Sequence, residues 1–154
     1  MKLFRYTHQG QSRVGVMPAG QSSHFADLAS LVTDVPHEIE ALFEPALRAR
    51  VAQSLAQTPA SALKPLAGLA FEVPIAQPPK IVCMGLNYAD HAKEGGNARP
   101  EYPSFFMRVA TSMTPHNGPI VRPKVSTQLD YEAELAVVIG QKTRHLNADK
   151  RHRP

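Results

Sequence analysis

Tryptophan is absent from the 154-residue chain, and aromatic residues make up only 6% of it. There is a single cysteine, Cys83. A lone thiol closes no internal disulfide, which excludes a disulfide scaffold and leads us to expect a reducing, cytoplasmic setting. No stretch approaches the roughly 20 apolar residues that span a bilayer. The opening Met1-Lys2-Leu3-Phe4-Arg5-Tyr6 lacks the apolar core of a signal peptide. No P-loop, G-x-G-x-x-G, G-x-S-x-G or paired C-x-x-C occurs, so nucleotide binding, serine-esterase chemistry and zinc ribbons have no support.

The sequence holds 43% hydrophobic residues, enough for a real core, and 14 prolines, which favour short elements and many turns over a helical bundle. Its net charge of +4 lies wholly in the last stretch, in Lys142, Arg144, Lys150, Arg151 and Arg153 against Asp149; residues 1–140 are neutral. A neutral body with a basic tail over 148–154 is a solvated terminus rather than a nucleic-acid surface.

Residues 3–17 read as a hairpin around Gly10, followed by a turn at Pro18-Ala19-Gly20. Ile39, Leu42, Phe43, Ala46, Leu47, Val51 and Leu55 form one apolar helical stripe over 37–58, with a kink or a fresh start at Pro45 and an end at Pro59. The prolines of 73–79 mark a linker, so we expect an N-terminal α+β domain over 1–73, a linker over 74–79 and a second domain over 80–147. Beyond the linker, Ile81 to Leu86 reads as a buried strand, Asn87 as the cap of a short helix to Glu94, and Gly95-Gly96 as its stop. Residues 97–128 read as loop, with Phe105 and Phe106 as core. Residues 129–139 carry the clearest strand pattern.

Three segments carry chemistry. In a strand, Asp130, Glu132 and Glu134 share one face. Three carboxylates in a row repel one another unless water or a hard divalent cation compensates. An ordinary solvated strand face satisfies the same pattern, while the apolar continuation Val137-Val138-Ile139 favours a buried strand. His91 and Glu94, three apart on a helix, can act as an oriented general base on water, or simply as a surface contact. Arg108 and Ser112 can hold an anionic substrate.

In order, Lys80 to Glu94 (KIVCMGLNYADHAKE), Pro103 to Arg108 (PSFFMR) and Leu129 to Gly140 (LDYEAELAVVIG) resemble the fumarylacetoacetate hydrolase family. The resemblance implies an α+β, mostly β fold: a mixed β-roll, here incomplete, preceded by a small α+β domain. It implies Glu132 and Glu134 as ligands of Mg2+ (or Mn2+ or Ca2+), with Asp130 outside the ligand set. It implies His91 and Glu94 as the water-activating dyad. The implied activity is C–C bond hydrolysis of small diketo- or oxo-acids such as acylpyruvates, with isomerase, decarboxylase or hydratase chemistry, or a non-catalytic fragment, as alternatives. The implied partners are an oxo-acid substrate and, for the full-length form, a second copy of the chain, with neither nucleic acid nor membrane. The family's third carboxylate, in an N-D-x-S-x-R-D segment, has no counterpart in the sequence. We therefore expect a truncated site with weak metal binding and little turnover.

Overall fold

The computed structural model describes residues 1–145. The basic tail expected over 148–154 lies outside the described residues. The fold is mixed α+β with antiparallel sheets predominating. Its described residues divide into two compact units, 1–75 with 114–145, and Ala76–Met113.

Strands β1 (Lys2–His8) and β2 (Gln11–Met17) pair antiparallel in the expected hairpin. Its two-residue turn uses Gln9 (φ 50°) and Gly10 (φ 75°), both in the left-handed region that a tight hairpin turn requires. Gly20, at φ 78°, closes the next turn, in which Gln21 N donates to the Pro18 carbonyl over 3.2 Å. Three further short strands complete a five-stranded sheet in the order β4-β3-β2-β1-β5: β3 (His24–Asp27), β4 (Lys64–Pro65) and β5 (Ala70–Glu72).

The two faces of this sheet bury different side chains. Val14, Val16 and Ala26 belong to an aliphatic cluster that also holds Leu28, Leu42, Val51 and Leu55. Leu28 opens α1 (Leu28–Leu31), while Val51 and Leu55 lie on α2 (Pro45–Gln57). Pro45 occupies the first turn of α2, where its missing N–H costs nothing, so the periodic stretch splits there into a 3-10 turn (Ile39–Phe43) and a new helix. The other face is aromatic. Phe4, Tyr6 and Phe25 meet at centroid distances of 5.0–5.7 Å, and Phe71 joins Phe4 at 5.5 Å. Gly15 pairs with Phe4 across the hairpin, and an added Cβ would fall 2.1 Å from the Phe4 ring. The glycine gives that ring its seat.

Polar groups tie the two layers together. Asp27 is buried; its Oδ2 accepts from Tyr6 Oη at 2.6 Å and its Oδ1 accepts from Ala29 N at 2.9 Å, which caps α1. Burial, and then the hydrogen bond to Asp27, push the Tyr6 phenol well above its ordinary pKa. Arg5 forms an ion pair with Glu72 at 2.8 Å, bonding β1 to β5, while Glu72 also accepts from Thr7 and Ser12.

The second unit is a two-stranded ribbon, β6 (Ile81–Gly85) against β7 (Ser104–Arg108), with α3 (Ala89–Glu94) between them in the chain. Four expectations need correction here. PSFFMR is a strand rather than loop, because it supplies the ladder that β6 needs. The β6 strand is not buried on both faces: Val82 and Met84 are exposed, since a ribbon of two strands leaves one side uncovered. Phe105 and Phe106 are exposed rather than core for the same reason. The cap of α3 is Tyr88, not Asn87, and it makes no side-chain cap bond.

The largest correction concerns 129–139. These residues form no strand and are exposed throughout. Period-two alternation specifies which side chains share a face, but a strand exists only against a neighbour that satisfies its backbone. Among the described residues no ladder includes this segment.

Candidate active site

In the second unit, the site grows from the turn between β6 and α3. The ladder with β7 fixes β6 up to Gly85, which pairs with Ser104. Leu86 then turns left-handed at φ 50°, an uncommon conformation for a side chain of this size. The helix that follows is only six residues long and is anchored by Ala92, its one buried residue. His91 and Glu94 lie three apart on α3, one turn of helix from each other, and both are exposed. Gly95 and Gly96 end the helix as expected: Gly95 N donates to the His91 carbonyl at 3.1 Å, and Gly96 takes φ 68°.

Arg108 ends β7, where its guanidinium carbon sits 5.5 Å from the Phe106 ring centroid, a cation–π distance. Ser112 closes the 3-10 turn Ala110–Ser112 and donates its hydroxyl proton to the Val109 carbonyl at 2.7 Å, leaving its oxygen as an acceptor. Thus His91, Glu94, Arg108 and Ser112 all belong to this one unit, on its helix, at the end of its second strand and in the 3-10 turn that follows.

Glu132 and Glu134 belong with the other unit, in an exposed segment without regular structure. The expectation that both point from one strand toward a concave surface is therefore not met: the alternation is there without the strand. Asp130 turns inward on its own backbone, its Oδ1 accepting from Tyr131 N at 2.8 Å, which suits a local role better than a ligand. The two glutamates are hard oxygen donors and fit a hard divalent cation by chemistry. No cluster of three or more His, Cys, Asp or Glu that could hold a metal is assembled among the described residues.

Residues 80–152 match the family described as fumarylacetoacetate (FAA) hydrolase C-terminal. The chain is a member of the fumarylacetoacetate hydrolase family over that stretch. All three strings that carry the resemblance, and all six candidate residues, fall inside the matched region. Family relatives extend the similarity to the N-terminal unit. The 2,4-didehydro-3-deoxy-L-rhamnonate hydrolase of Sphingomonas sp. is 35% identical over 150 residues, covering 97% of this chain and 48% of its own. The mitochondrial oxaloacetate tautomerase Fahd2a of Rattus norvegicus is 32% identical over 148 residues, covering 94% and 46%. The chain thus spans about half the length of these relatives. A solved fumarylacetoacetate hydrolase from psychrophilic Exiguobacterium antarcticum aligns with 73% of this chain and 36% of its own, at 24% identity and a TM-score of 0.47.

The sequence assigned no role to Arg99, Glu101 or Tyr102, which gather beside Leu86 and Asn87. Their loop carries no periodic pattern, and a left-handed leucine has no sequence signature. The nearby prolines 100 and 103 were the only signal of a shaped loop.

Proposed function

We propose that this chain carries the dyad and two metal-ligand positions of a divalent-metal-dependent enzyme acting on small diketo- or oxo-acids, with C–C bond hydrolysis as its reaction. One observation supports the reading above others: a single family match takes in His91, Glu94, Arg108, Ser112, Glu132 and Glu134 together. Glu132 and Glu134 would hold Mg2+, or Mn2+ or Ca2+, through oxygen ligands. When bound, such an ion supplies Lewis-acid polarisation of the substrate's oxygens. His91, with Glu94 one helical turn away to orient it, takes a proton from water. The resulting hydroxide adds to the distal carbonyl, the C–C bond breaks, and the electron pair leaves with the oxo-acid fragment, which His91 reprotonates. Arg108 would hold the substrate carboxylate by charge, and Ser112 would join it by turning its hydroxyl proton from the Val109 carbonyl to a carboxylate oxygen. A cytoplasmic setting and a homodimeric full-length form belong to the same proposal, as does the absence of nucleic-acid and membrane partners.

A second reading, isomerase chemistry on the same dyad, draws support from the relative named as an oxaloacetate tautomerase. Here His91 would move a proton between carbon and oxygen without adding water. One assay separates the two: acylpyruvate cleavage and oxaloacetate tautomerisation are followed side by side, with and without Mg2+, for the wild type and His91→Ala. The hydrolase reading expects slow cleavage that appears only at high metal concentration and is lost in the variant. Tautomerisation alone favours the second reading, and turnover indifferent to His91→Ala contradicts both.

A further inference from the structure

The turn between β6 and α3 opens onto a crevice of about 170 Å³ whose walls include Met84, Leu86, Asn87, Arg99, Glu101 and Tyr102. It lies wholly within the second unit. The left-handed Leu86 creates the wall by ending β6 and turning the chain at Asn87. A non-glycine residue in that region stores strain, which proteins tolerate chiefly at binding and switch sites. Drug-sized ligands fill sites of roughly 300–1,000 Å³, so this crevice has room only for a short arm of a larger molecule.

Its chemistry selects among such arms. Asn87 both donates and accepts, Tyr102 does likewise, Arg99 only donates, and an ionised Glu101 only accepts. Arg99 and Glu101 form no ion pair with each other among the described residues, so both remain for a ligand. Their charges cancel. A second carboxylate attracted by Arg99 would meet Glu101 at close range, and an apolar arm would strip water from four polar groups without replacing it. A hydroxyl donates to Glu101 and accepts from Arg99 or Asn87 at once. Met84 and Leu86 offer apolar surface to the carbon chain between hydroxyls.

We infer that this crevice receives the hydroxylated arm of a sugar-derived oxo-acid, and that Arg99 and Glu101 determine specificity for hydroxyls over a second carboxylate. The inference rests on reading this unit as part of an oxo-acid enzyme. Glu101→Gln and Arg99→Met are both exposed changes, chosen to leave the fold intact. The test is a metal-free NMR titration of the whole chain, following the backbone amides of Leu86, Asn87, Arg99, Glu101 and Tyr102. The probes are 2-keto-3-deoxygluconate, oxaloacetate and gluconate. The hydroxylated oxo-acid is expected to shift these amides saturably and oxaloacetate to leave them still. Glu101→Gln should weaken the former at least fivefold and admit the latter, while Arg99→Met should weaken the hydroxylated acid at least fivefold. Gluconate has the hydroxyls without the oxo group. If it alone fills the crevice, this site stands and the oxo-acid reading fails. Oxaloacetate binding there as well as or better than the hydroxylated acid, or crevice amides that none of the three probes moves, overturns the inference.

Discussion

In the first unit Val14, Val16, Leu28 and Val51 have no accessible surface; in the second, Val82, Phe105, Met107 and Val109 keep more than half of theirs. Composition does not explain the contrast, since both stretches are rich in apolar side chains. Layering does. Five strands with a 13-residue helix on one face and aromatic rings on the other form a closed stack. A two-stranded ribbon with a six-residue helix has no second layer of its own. The residues proposed to carry the chemistry sit in the second unit and in the exposed 129–139 segment, so the best-packed part of the chain is not the part to which the proposal assigns activity.

The sharpest way to break this comparison is to cut the same kind of side chain from both units. Leu28→Ala, at a fully buried position, is expected to lower unfolding stability by about 2–5 kcal/mol. Phe105→Ala, at a position 58% exposed, should change it by roughly 0.5 kcal/mol. Urea unfolding of the two variants gives the answer, and a larger loss at Phe105 would mean that the ribbon is packed after all.

Next in size is Gly15→Ala. The added methyl meets the Phe4 ring, which is itself held by Phe25 and Phe71, so the ring has little room to retreat. A loss of about 1–3 kcal/mol is expected. A thermal melt showing no change would mean that the aromatic face is loosely packed.

Tyr6 gives a pH-dependent test of the same unit. Its folded pKa is raised, so the stability it contributes is fully present below the unfolded value of about 10 and drains away as pH rises beyond it. Urea midpoints measured from pH 8 to 11 should fall at the alkaline end in the wild type, and fall less in Tyr6→Phe. That variant should already be weaker at neutral pH by about 1–3 kcal/mol, because buried Asp27 loses a donor. The smallest effect is expected at the candidate dyad: His91→Ala and Glu94→Gln, both exposed, should leave stability within about 0.5 kcal/mol of the wild type.

Much of the first unit was legible in the sequence because its signals are local. The Gly10 hairpin, the turn at Gly20 and the restart at Pro45 each depend on backbone chemistry within a few residues. The short strands β3, β4 and β5 were not legible, since stretches of two to four residues carry no period of their own. In the second unit the strand β6 and helix α3 were readable, but β7 was hidden among prolines, and burial was overestimated because it depends on what covers a strand. The candidate site residues were named by motif; the helix under His91 and Glu94 followed from the sequence, while the strand that ends at Arg108 did not. Glu132 and Glu134 show the limit: alternation names a face, while the partner that makes it a strand is nowhere in the pattern.

The central claim is that Glu132 and Glu134 are metal ligands, and calorimetric titration of Mg2+ and Mn2+ into the whole chain and into the Glu132→Gln/Glu134→Gln double variant tests it directly. Two carboxylates leave most of an oxygen shell to water, so the wild type should bind with a dissociation constant on the order of 10⁻³ M and the double variant should show no binding heat. Binding of equal strength in both proteins would contradict the assignment. Micromolar affinity lost in the double variant would keep the two ligands and refute the expectation that the site is incomplete.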